Sequence, residues 1–368
     1  MSQPIMIAAG GTGGHFFPAE ALAAELQSRG RVVALMTDAR SSGERSAVFS
    51  GAERFVLQGG GIAGHGLAKV VKSSASLAAG TMQALSILRR LKPSAIVGFG
   101  GYPTVAPVLA SRGMLRRPRV VLHEQNAVLG RANRALSRFS DRLALSFSET
   151  SRVPDTAHAV LTGNPVRAAI ISRAGHDYDP AGGRFHLLVL GGSLGASVFS
   201  NVVPDAIREL PDALLAKLQI TQQCRAEDLP KVRRAYDALG MQADLASFFP
   251  DIADLLDAAH LVIARAGAST VSELAAIGRP SILVPLPSAI DDHQRANAKA
   301  LADAGGAWMM HQSILLAADL ADFLTPLIET PATLAPLAAA AAGFGCVDAA
   351  SRLADLVEQT INDQENAP

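Results

Sequence analysis

IMIAAGGTGGHF, residues 5–16, and LLVLGGSLGAS, residues 187–197, share one pattern. In each, a short apolar run ends in glycines and gives way to helix-forming sequence. The runs are too short for helices and wholly apolar, as are strands of a parallel sheet covered on both faces. The glycine loops begin at Gly10 and Gly191, 181 residues apart, so a domain that opens with strand, glycine loop and helix occurs twice. Similar runs at Val32–Met36, Ala95–Val97, Val120–Leu122, Leu143–Ser146, Leu261–Ala264 and Ser281–Val284 predict further strands. Between them lie helical segments such as Ala19–Arg29 and Val271–Ile277, with apolar residues at i, i+3 and i+4. The expected fold is α/β, with two Rossmann-like parallel sheets. Arg173–Arg184, with Gly175, Pro180, Gly182 and Gly183, reads as the linker, and Asn362–Pro368 as a polar, frayed tail.

The chain has 368 residues, enough for two domains that each bury a core. Half of it is apolar and 18% charged, which excludes a disordered chain. Cys224 and Cys346 cannot make a disulfide framework, and this favours a reducing compartment. No uninterrupted apolar run reaches about 18 residues, so no spanning helix is expected, and MSQPIMIAAGG lacks the basic start of a signal peptide. The formal net charge is zero, from 33 basic and 33 acidic residues. The halves are not neutral. Residues 1–170 hold 20 basic and 9 acidic side chains, +11, and residues 171–368 hold 13 and 24, −11. From Lys69 to Arg142 there are 13 basic residues against Glu124 and Asp141. Either one half faces something anionic or the clustering is an ordinary solvated surface.

A glycine loop between strand and helix turns backbone N–H groups toward an anion, and the helix N-terminus adds positive potential. That suits a phosphate or pyrophosphate without choosing a nucleotide. Neither loop ends in Gly-Lys-Ser/Thr, so Walker A is excluded. Gly11-Thr12-Gly13 and Asp38 partly fit a dinucleotide fingerprint, but Phe16 stands where its third small residue belongs. A third glycine segment, Gly98-Phe99-Gly100-Gly101-Tyr102-Pro103-Thr104, follows another strand, where ligands of parallel sheets bind. His123-Glu124-Gln125-Asn126 is not a zinc helix motif, because Ala127 occupies the second histidine's place. Asp177-Tyr178-Asp179 falls in the expected linker and reads as solvated acids rather than a metal site. In the second half, Thr270-x-x-Glu273 fits either a capping box or a carboxylate that accepts both ribose hydroxyls. Gln294 and Asn297, in DDHQRANA, carry amides that suit sugar hydroxyls, or belong to a polar loop entering a helix.

In order, GGTGGHFFPA (10–19), GFGGYPT (98–104), HEQNAVLGRANR (123–134), TGNPVR (162–167), GGSLGA (191–196), RAGASTVSELAAIGRP (265–280) and DDHQRANA (291–298) resemble the motifs of the MurG family. These are bacterial transferases that attach N-acetylglucosamine in making lipid II for peptidoglycan. Leu194 departs from the family's usual Gln in GGSQGA, and His293 and Arg295 vary positions beside Gln294. The resemblance implies the GT-B architecture: two Rossmann-like domains facing a cleft and a C-terminal helix returning to the first. It divides the chain into an acceptor- and membrane-facing domain at 1–172, a linker at 173–184, a UDP-sugar domain at 185–345 and a returning helix and tail at 346–368.

The resemblance implies an inverting displacement in which the 4-hydroxyl of undecaprenyl-pyrophosphoryl-N-acetylmuramoyl-pentapeptide (lipid I) attacks C1 of the donor sugar and UDP leaves. His15 is the first candidate for the base, since imidazole titrates near neutrality; it would otherwise bind phosphate or support its loop. Glu124 is the second candidate. The donor set carried over is Thr12, Gly13, Gly14, Asn126, Arg167, Ser193, Phe249, Ala268, Ser269, Thr270, Val271, Ser272, Glu273, Gln294 and Asn297. In it Glu273 would hold the ribose, Gln294, Asn297 and Asn126 the sugar, and Ser193 and Arg167 the leaving pyrophosphate. Phe249 would lie near the uracil. Gly13, Gly14, Gly100, Gly101 and Tyr102 would cradle the acceptor pyrophosphate. No metal, other cofactor or nucleic acid is expected.

A lipid acceptor implies peripheral docking on the cytoplasmic face of the inner membrane, with basic residues on anionic head groups. Lys69, Lys72, Leu85, Leu88, Arg89 and Arg90 are the expected surface, with a second patch at Arg112–Arg117; the bland alternative is an amphipathic helix packed on its own sheet. Other cell-wall synthesis proteins, and roles in cell shape and division, belong to the same expectation. Rival readings are a UDP-N-acetylglucosamine 2-epimerase of the same fold, an NAD-dependent oxidoreductase, and a sugar-nucleotide sensor that does not turn over.

Overall fold

The computed structural model describes every residue except 1–2, 11–12, 40–45, 59–66, 181–182, 193–194 and 366–368, and the side chains of 67–73 and 364–365. It contains two compact units, residues 1–167 with 347–368, and residues 168–346.

The first unit is a seven-stranded parallel sheet of β1 (Ile5–Ala8), β2 (Val33–Thr37), β3 (Glu53–Val56), β4 (Ala95–Gly98), β5 (Arg119–Glu124), β6 (Arg142–Leu145) and β7 (Ala159–Leu161). Their order is β3-β2-β1-β4-β5-β6-β7. Successive β1 residues enter opposite cores: Ile5 and Ile7 pack with the helix Gly13–Ser28, Met6 and Ala8 with the helices Leu67–Leu91 and Gly101–Ser111. Such two-sided burial is why β1 reads as an apolar run without alternation.

The second unit repeats the plan with six strands: β8 (Phe185–Leu190), β9 (Leu218–Gln223), β10 (Asp244–Ala246), β11 (Leu261–Ala264), β12 (Ser281–Leu283) and β13 (Ala307–Met309). Their order, β10-β9-β8-β11-β12-β13, matches the first six places of the other sheet. The expected pair of Rossmann-like sheets is therefore observed. In each, the order reverses direction beside the first strand, between β1 and β4 and between β8 and β11. That switch point is where adjoining loops part and leave a crevice for a ligand.

All eight expected strands form. Those the sequence did not disclose are the four sheet edges, β3, β7, β10 and β13, and the polar LQITQQ of β9. Edge strands have a wet face and need no apolar run; all three β7 residues, for instance, are exposed.

Segment 173–184, expected as a linker, lies on the second unit where it is described. Arg173 pairs with Asp254, His176 with Asp257, and the Tyr178 hydroxyl donates to the His260 carbonyl oxygen at 2.8 Å. The C-terminal helix Ala349–Glu365 buries Leu353, Ala354 and Val357 in the core shared with Gly13–Ser28, so it belongs to the first unit. Arg29 bridges Asp355 and Glu358, and Arg31 also holds Glu358.

Among the described residues one segment is long and apolar enough to be weighed as a span. Pro331–Asp363 contains an 18-residue stretch of mean hydropathy 1.4, which by itself is weak evidence of a span. The chain breaks there at Gly345, between the helices Ala335–Phe344 and Ala349–Glu365.

Candidate functional site

At the first switch point two glycine loops meet. A Cβ on Gly10 would lie 2.9 Å from Pro103 Cγ, and one on Gly100 would lie 3.5 Å from His15 Cε1. Gly100 (φ +87°) and Gly101 (φ +69°) are left-handed, a conformation that favours glycine. The Thr104 hydroxyl fastens the second loop to Ala8 and Gly100 carbonyl oxygens. The helices Gly13–Ser28 and Gly101–Ser111 thus start side by side, and their first N–H groups, including those of Gly13, Gly14, Gly101 and Tyr102, give the crevice a positive lining. Tyr102 contributes only backbone: its ring is buried and its hydroxyl faces the Gln58 and Ser76 carbonyl oxygens. Arg167 stacks on the Phe17 ring, 4.6 Å from its centroid, and that ring lies against Gly13. Thr12 lies outside the described residues.

His15 stands half-buried on the first turn of its helix. Its Nδ1 is 2.9 Å from Gln125 Oε1. Gln125 in turn meets the wholly buried His123 on β5, whose Nε2 is 3.1 Å from the Gly163 carbonyl oxygen. Burial pushes the His123 imidazole down to about 4. Glu124 has a different character from His15. It is 2% exposed, and its two oxygens accept from Asn126 N and Nδ2, Gly130 N and Asn133 Nδ2. Four donors leave this carboxylate organising the loop that carries Asn126.

The second switch point is built from Gly191–Ala196 and Arg265–Glu273. A Cβ on Gly191 would lie 2.6 Å from Ala196 N, while Gly192 and Gly195 take φ of +77° and +69°. Ser193 and Leu194 lie outside the described residues. The helix Ala268–Ile277 starts at the end of β11, with Gly267 as its N-cap. This removes the capping-box reading, because Thr270 and Glu273 are then the third and sixth helical residues rather than the cap and its partner. Glu273 is buried at 7% exposure. The first turn brings Ala268, Ser269, Thr270, Val271 and Ser272 round the helix start, and the Ser269 hydroxyl is buried without a hydrogen-bond partner.

Gln294 Oε1 accepts from Leu286 N at 2.9 Å. Asn297 is fully buried and its Nδ2 donates to the Ala266 carbonyl oxygen at 3.1 Å, so it supports the Arg265–Glu273 loop rather than lining the crevice. Phe249, in the loop after β10, is buried; its neighbour Phe248 is 69% exposed. Arg265 was assigned no role by its sequence. It is 8% exposed, donates to Val284, Pro285 and Gln312 oxygens, and stacks on Phe199. Burial lowers its pKa below the ordinary value, so this cation is held by neutral acceptors beside the helix that follows Gly191–Ala196. The sequence signals were a charge directly after an apolar strand and its place at the start of RAGAST.

On the helix Leu67–Leu91, the expected membrane surface needs correction. Leu88 is fully buried and Leu85 packs against the same core; amphipathic packing accounts for both. Arg89 is exposed, and Arg90 pairs with Glu53 and stacks on Phe55. The side chains of Lys69 and Lys72 lie outside the described residues. Among the described residues Met82 (73% exposed) and fully exposed Leu115, the latter flanked by exposed Arg112 and Arg116, stand in water.

A separate cavity of about 230 Å³ opens at the N-terminal ends of the second sheet, between Tyr178, Asp257, His260 and Arg279. It is at the end of the sheet away from both glycine loops. Among the described residues no group of three or more His, Cys, Asp or Glu is placed to hold a metal ion.

Residues 5–145 match the glycosyltransferase family 28 N-terminal domain and residues 186–353 its C-terminal domain. The chain is 57% identical over its full length to the UDP-N-acetylglucosamine–N-acetylmuramyl-(pentapeptide) pyrophosphoryl-undecaprenol N-acetylglucosamine transferase of Granulibacter bethesdensis, covering 96% of that protein. It is 52% identical to the protein of the same name from Acidiphilium cryptum, over 98% of each. The crystal structure of Acinetobacter baumannii MurG superposes with a TM-score of 0.78 at 30% identity, covering 97% of this chain and 99% of that one. A putative UDP-N-acetylglucosamine 2-epimerase from Listeria monocytogenes shares the fold alone, at 15% identity and a TM-score of 0.69 over 100% and 98% of the two chains.

Proposed function

The chain belongs to the MurG family within glycosyltransferase family 28, and from that premise and the two crevices we infer which side chains carry its reaction. It is a hexosyltransferase that moves N-acetylglucosamine from UDP-N-acetylglucosamine to the 4-hydroxyl of lipid I, in peptidoglycan synthesis. The oxidoreductase and epimerase readings give way to this; Phe16, buried at 2%, fills the place where a dinucleotide loop needs a small residue.

The first unit takes the acceptor and the second takes the donor. His15 is the base: the acceptor O–H bond breaks, its proton passes to the imidazole, and the oxygen bonds to C1. The bond from C1 to the phosphate oxygen breaks with its electron pair, and UDP departs. Charge grows on the diphosphate, where the loop amides of 191–196 and the start of the helix Ala268–Ile277 with the Ser269 hydroxyl are the donors. Ser193 is assigned to the same group. Glu273 accepts from the ribose hydroxyls, Gln294 meets the sugar, and Phe249 borders the base. Asn297 and Glu124 are supports. The amides around Gly13, Gly14, Gly100 and Gly101 hold the acceptor pyrophosphate. The observation that carries this reading is His15, a titratable side chain set beside the glycine backbone of the first crevice.

Docking on an anionic bilayer is assigned to Met82, Leu115, Arg89, Arg112 and Arg116, which pair exposed apolar groups with cations on the unit of net positive charge. The same reading puts the enzyme's work on the cytoplasmic face of the inner membrane. The deciding experiment is transfer of labelled N-acetylglucosamine from UDP to a lipid I analogue by the wild-type chain and by His15→Ala. Transfer by the first and near-absence in the second support the assignment; equal turnover removes His15 as the base.

A further inference from the structure

We propose that Gln125 and His123 are positioning residues that lock the His15 imidazole in one tautomer, with its proton on Nδ1 and its lone pair on Nε2. This rests on His15 as the base, and it says which nitrogen receives the acceptor's proton.

The argument starts from two oxygens that cannot donate. The Gly163 carbonyl oxygen lies 3.1 Å from His123 Nε2, so that nitrogen carries a hydrogen. The Ser146 hydroxyl agrees: it donates to the Glu124 carbonyl oxygen at 2.7 Å and so turns lone pairs toward the same nitrogen, 3.5 Å away. A neutral imidazole has one N–H, so His123 Nδ1 is an acceptor. Burial keeps His123 neutral, as its lowered pKa of about 4 reflects.

The second oxygen is the backbone carbonyl of His123 itself. Gln125 Nε2 lies 3.1 Å from it and 3.0 Å from His123 Nδ1. Both are acceptors, and the amide nitrogen has two hydrogens to give them. Turning the amide over would set its oxygen against a carbonyl oxygen and a lone pair in a buried site, an arrangement with no hydrogen to share. Gln125 is 1% exposed and His123 wholly buried, so no solvent relieves that clash. The ring of Phe99, 5.2 Å from that of His123, fixes the latter's plane. Gln125 Oε1 is therefore directed at His15 Nδ1, 2.9 Å away. An amide oxygen only accepts, so His15 Nδ1 must donate. The other ring nitrogen is left basic, and the imidazolium formed on proton transfer keeps the same hydrogen bond.

A carboxylate in the equivalent role in serine hydrolases is worth about 10⁴-fold in turnover. A neutral amide gives less charge stabilisation, and for Gln125→Leu we expect a loss on the order of 10²-fold in kcat with the donor KM little changed. The direct test uses the full chain labelled with ¹⁵N-histidine. Of its nine histidines, His15 is the one whose signals vanish in His15→Gln. At a pH where this imidazole is neutral, wild type should show a protonated Nδ1 and an unprotonated Nε2. Gln125→Leu should show mixed or reversed tautomers. Gln125→Glu should also lose the wild-type pattern, because its second oxygen would face the His123 carbonyl oxygen and the Nδ1 lone pair with no hydrogen to share. A wild-type His15 protonated on Nε2 overturns the proposal, and so does Gln125→Leu with pattern and kcat unchanged. If Gln125→Leu fails to fold, the wild-type spectrum decides alone. If His15→Ala keeps its turnover, the assignment of the base fails, and the ¹⁵N pattern still reports separately on the lock.

Discussion

The two switch points are the same piece of architecture put to different chemical uses. Each sets a glycine loop after the first strand beside a second loop after its neighbour, β1 with β4 and β8 with β11. Each offers helix N-termini to an anion. They differ in what stands on that base. The first adds an imidazole braced by Gln125 and the buried His123. The second adds buried Glu273, the unpartnered Ser269 hydroxyl and the buried cation Arg265. On the proposed reading, a proton is handled where the acceptor binds, whereas the donor nucleotide is recognised and its departing charge met at the other crevice. Duplication thus supplies two crevices of one design, and on that reading a few side chains divide the labour.

That division can be broken by experiment. The largest expected effect is His15→Ala, which should cut kcat by about 10²–10⁴-fold while UDP affinity stays near wild type; parallel loss of UDP affinity would put His15 on the donor side. Next, Glu273→Ala should weaken UDP binding by about 10- to 100-fold, measured by calorimetry, since hydrogen bonds to a charged group contribute about 1.5–3 kcal/mol. Unchanged affinity with a lower Tm would make Glu273 a structural residue and leave the second crevice without its reader.

The asymmetry in charge has its own test. Neutralising Arg112 and Arg116 should weaken binding to anionic vesicles by about 1 kcal/mol each at low salt, and Leu115→Glu should weaken it further. Binding that ignores both salt and these changes would separate the +11 half from the membrane. The smallest effect concerns the returning helix. Burial alone would raise the Glu358 carboxyl, but Arg31 and Arg29 outweigh it and hold its pKa below the usual value. A depressed carboxyl stabilises the fold above its unfolded pKa and loses that contribution as pH falls through the folded one. Scanning calorimetry should therefore find that Glu358→Gln lowers Tm by about 2–4 °C near neutrality and much less below about pH 4. An equal loss at both would mean that packing of Leu353 and Val357, rather than the ion pairs, seats this helix.

Much of the site was legible because glycine and charge stand out against apolar strands. Gly10–Gly14, Gly98–Gly101 and Gly191–Ala196 follow strands directly, and a backbone that must face an anion needs such residues. Roles that depend on distant partners were not legible. Leu88 and Asn297 look available in sequence and are buried. Glu124 looks like a base and is saturated by its own loop. Edge strands such as β7 escaped notice because they have little to bury.

The sequence alone determined that two strand–loop–helix units recur, that their loops suit phosphates, and which family the motifs match. These properties are local, fixed by the period of apolar burial and by glycine's freedom of backbone. The tertiary structure decided the strand order, and with it that the β1 and β4 loops, some ninety residues apart in sequence, form one crevice. It also joined His15 to Gln125, 110 residues away. Hydrogen bonds at such separations are set by how the sheet and helices pack, and only the folded chain brings their atoms within reach.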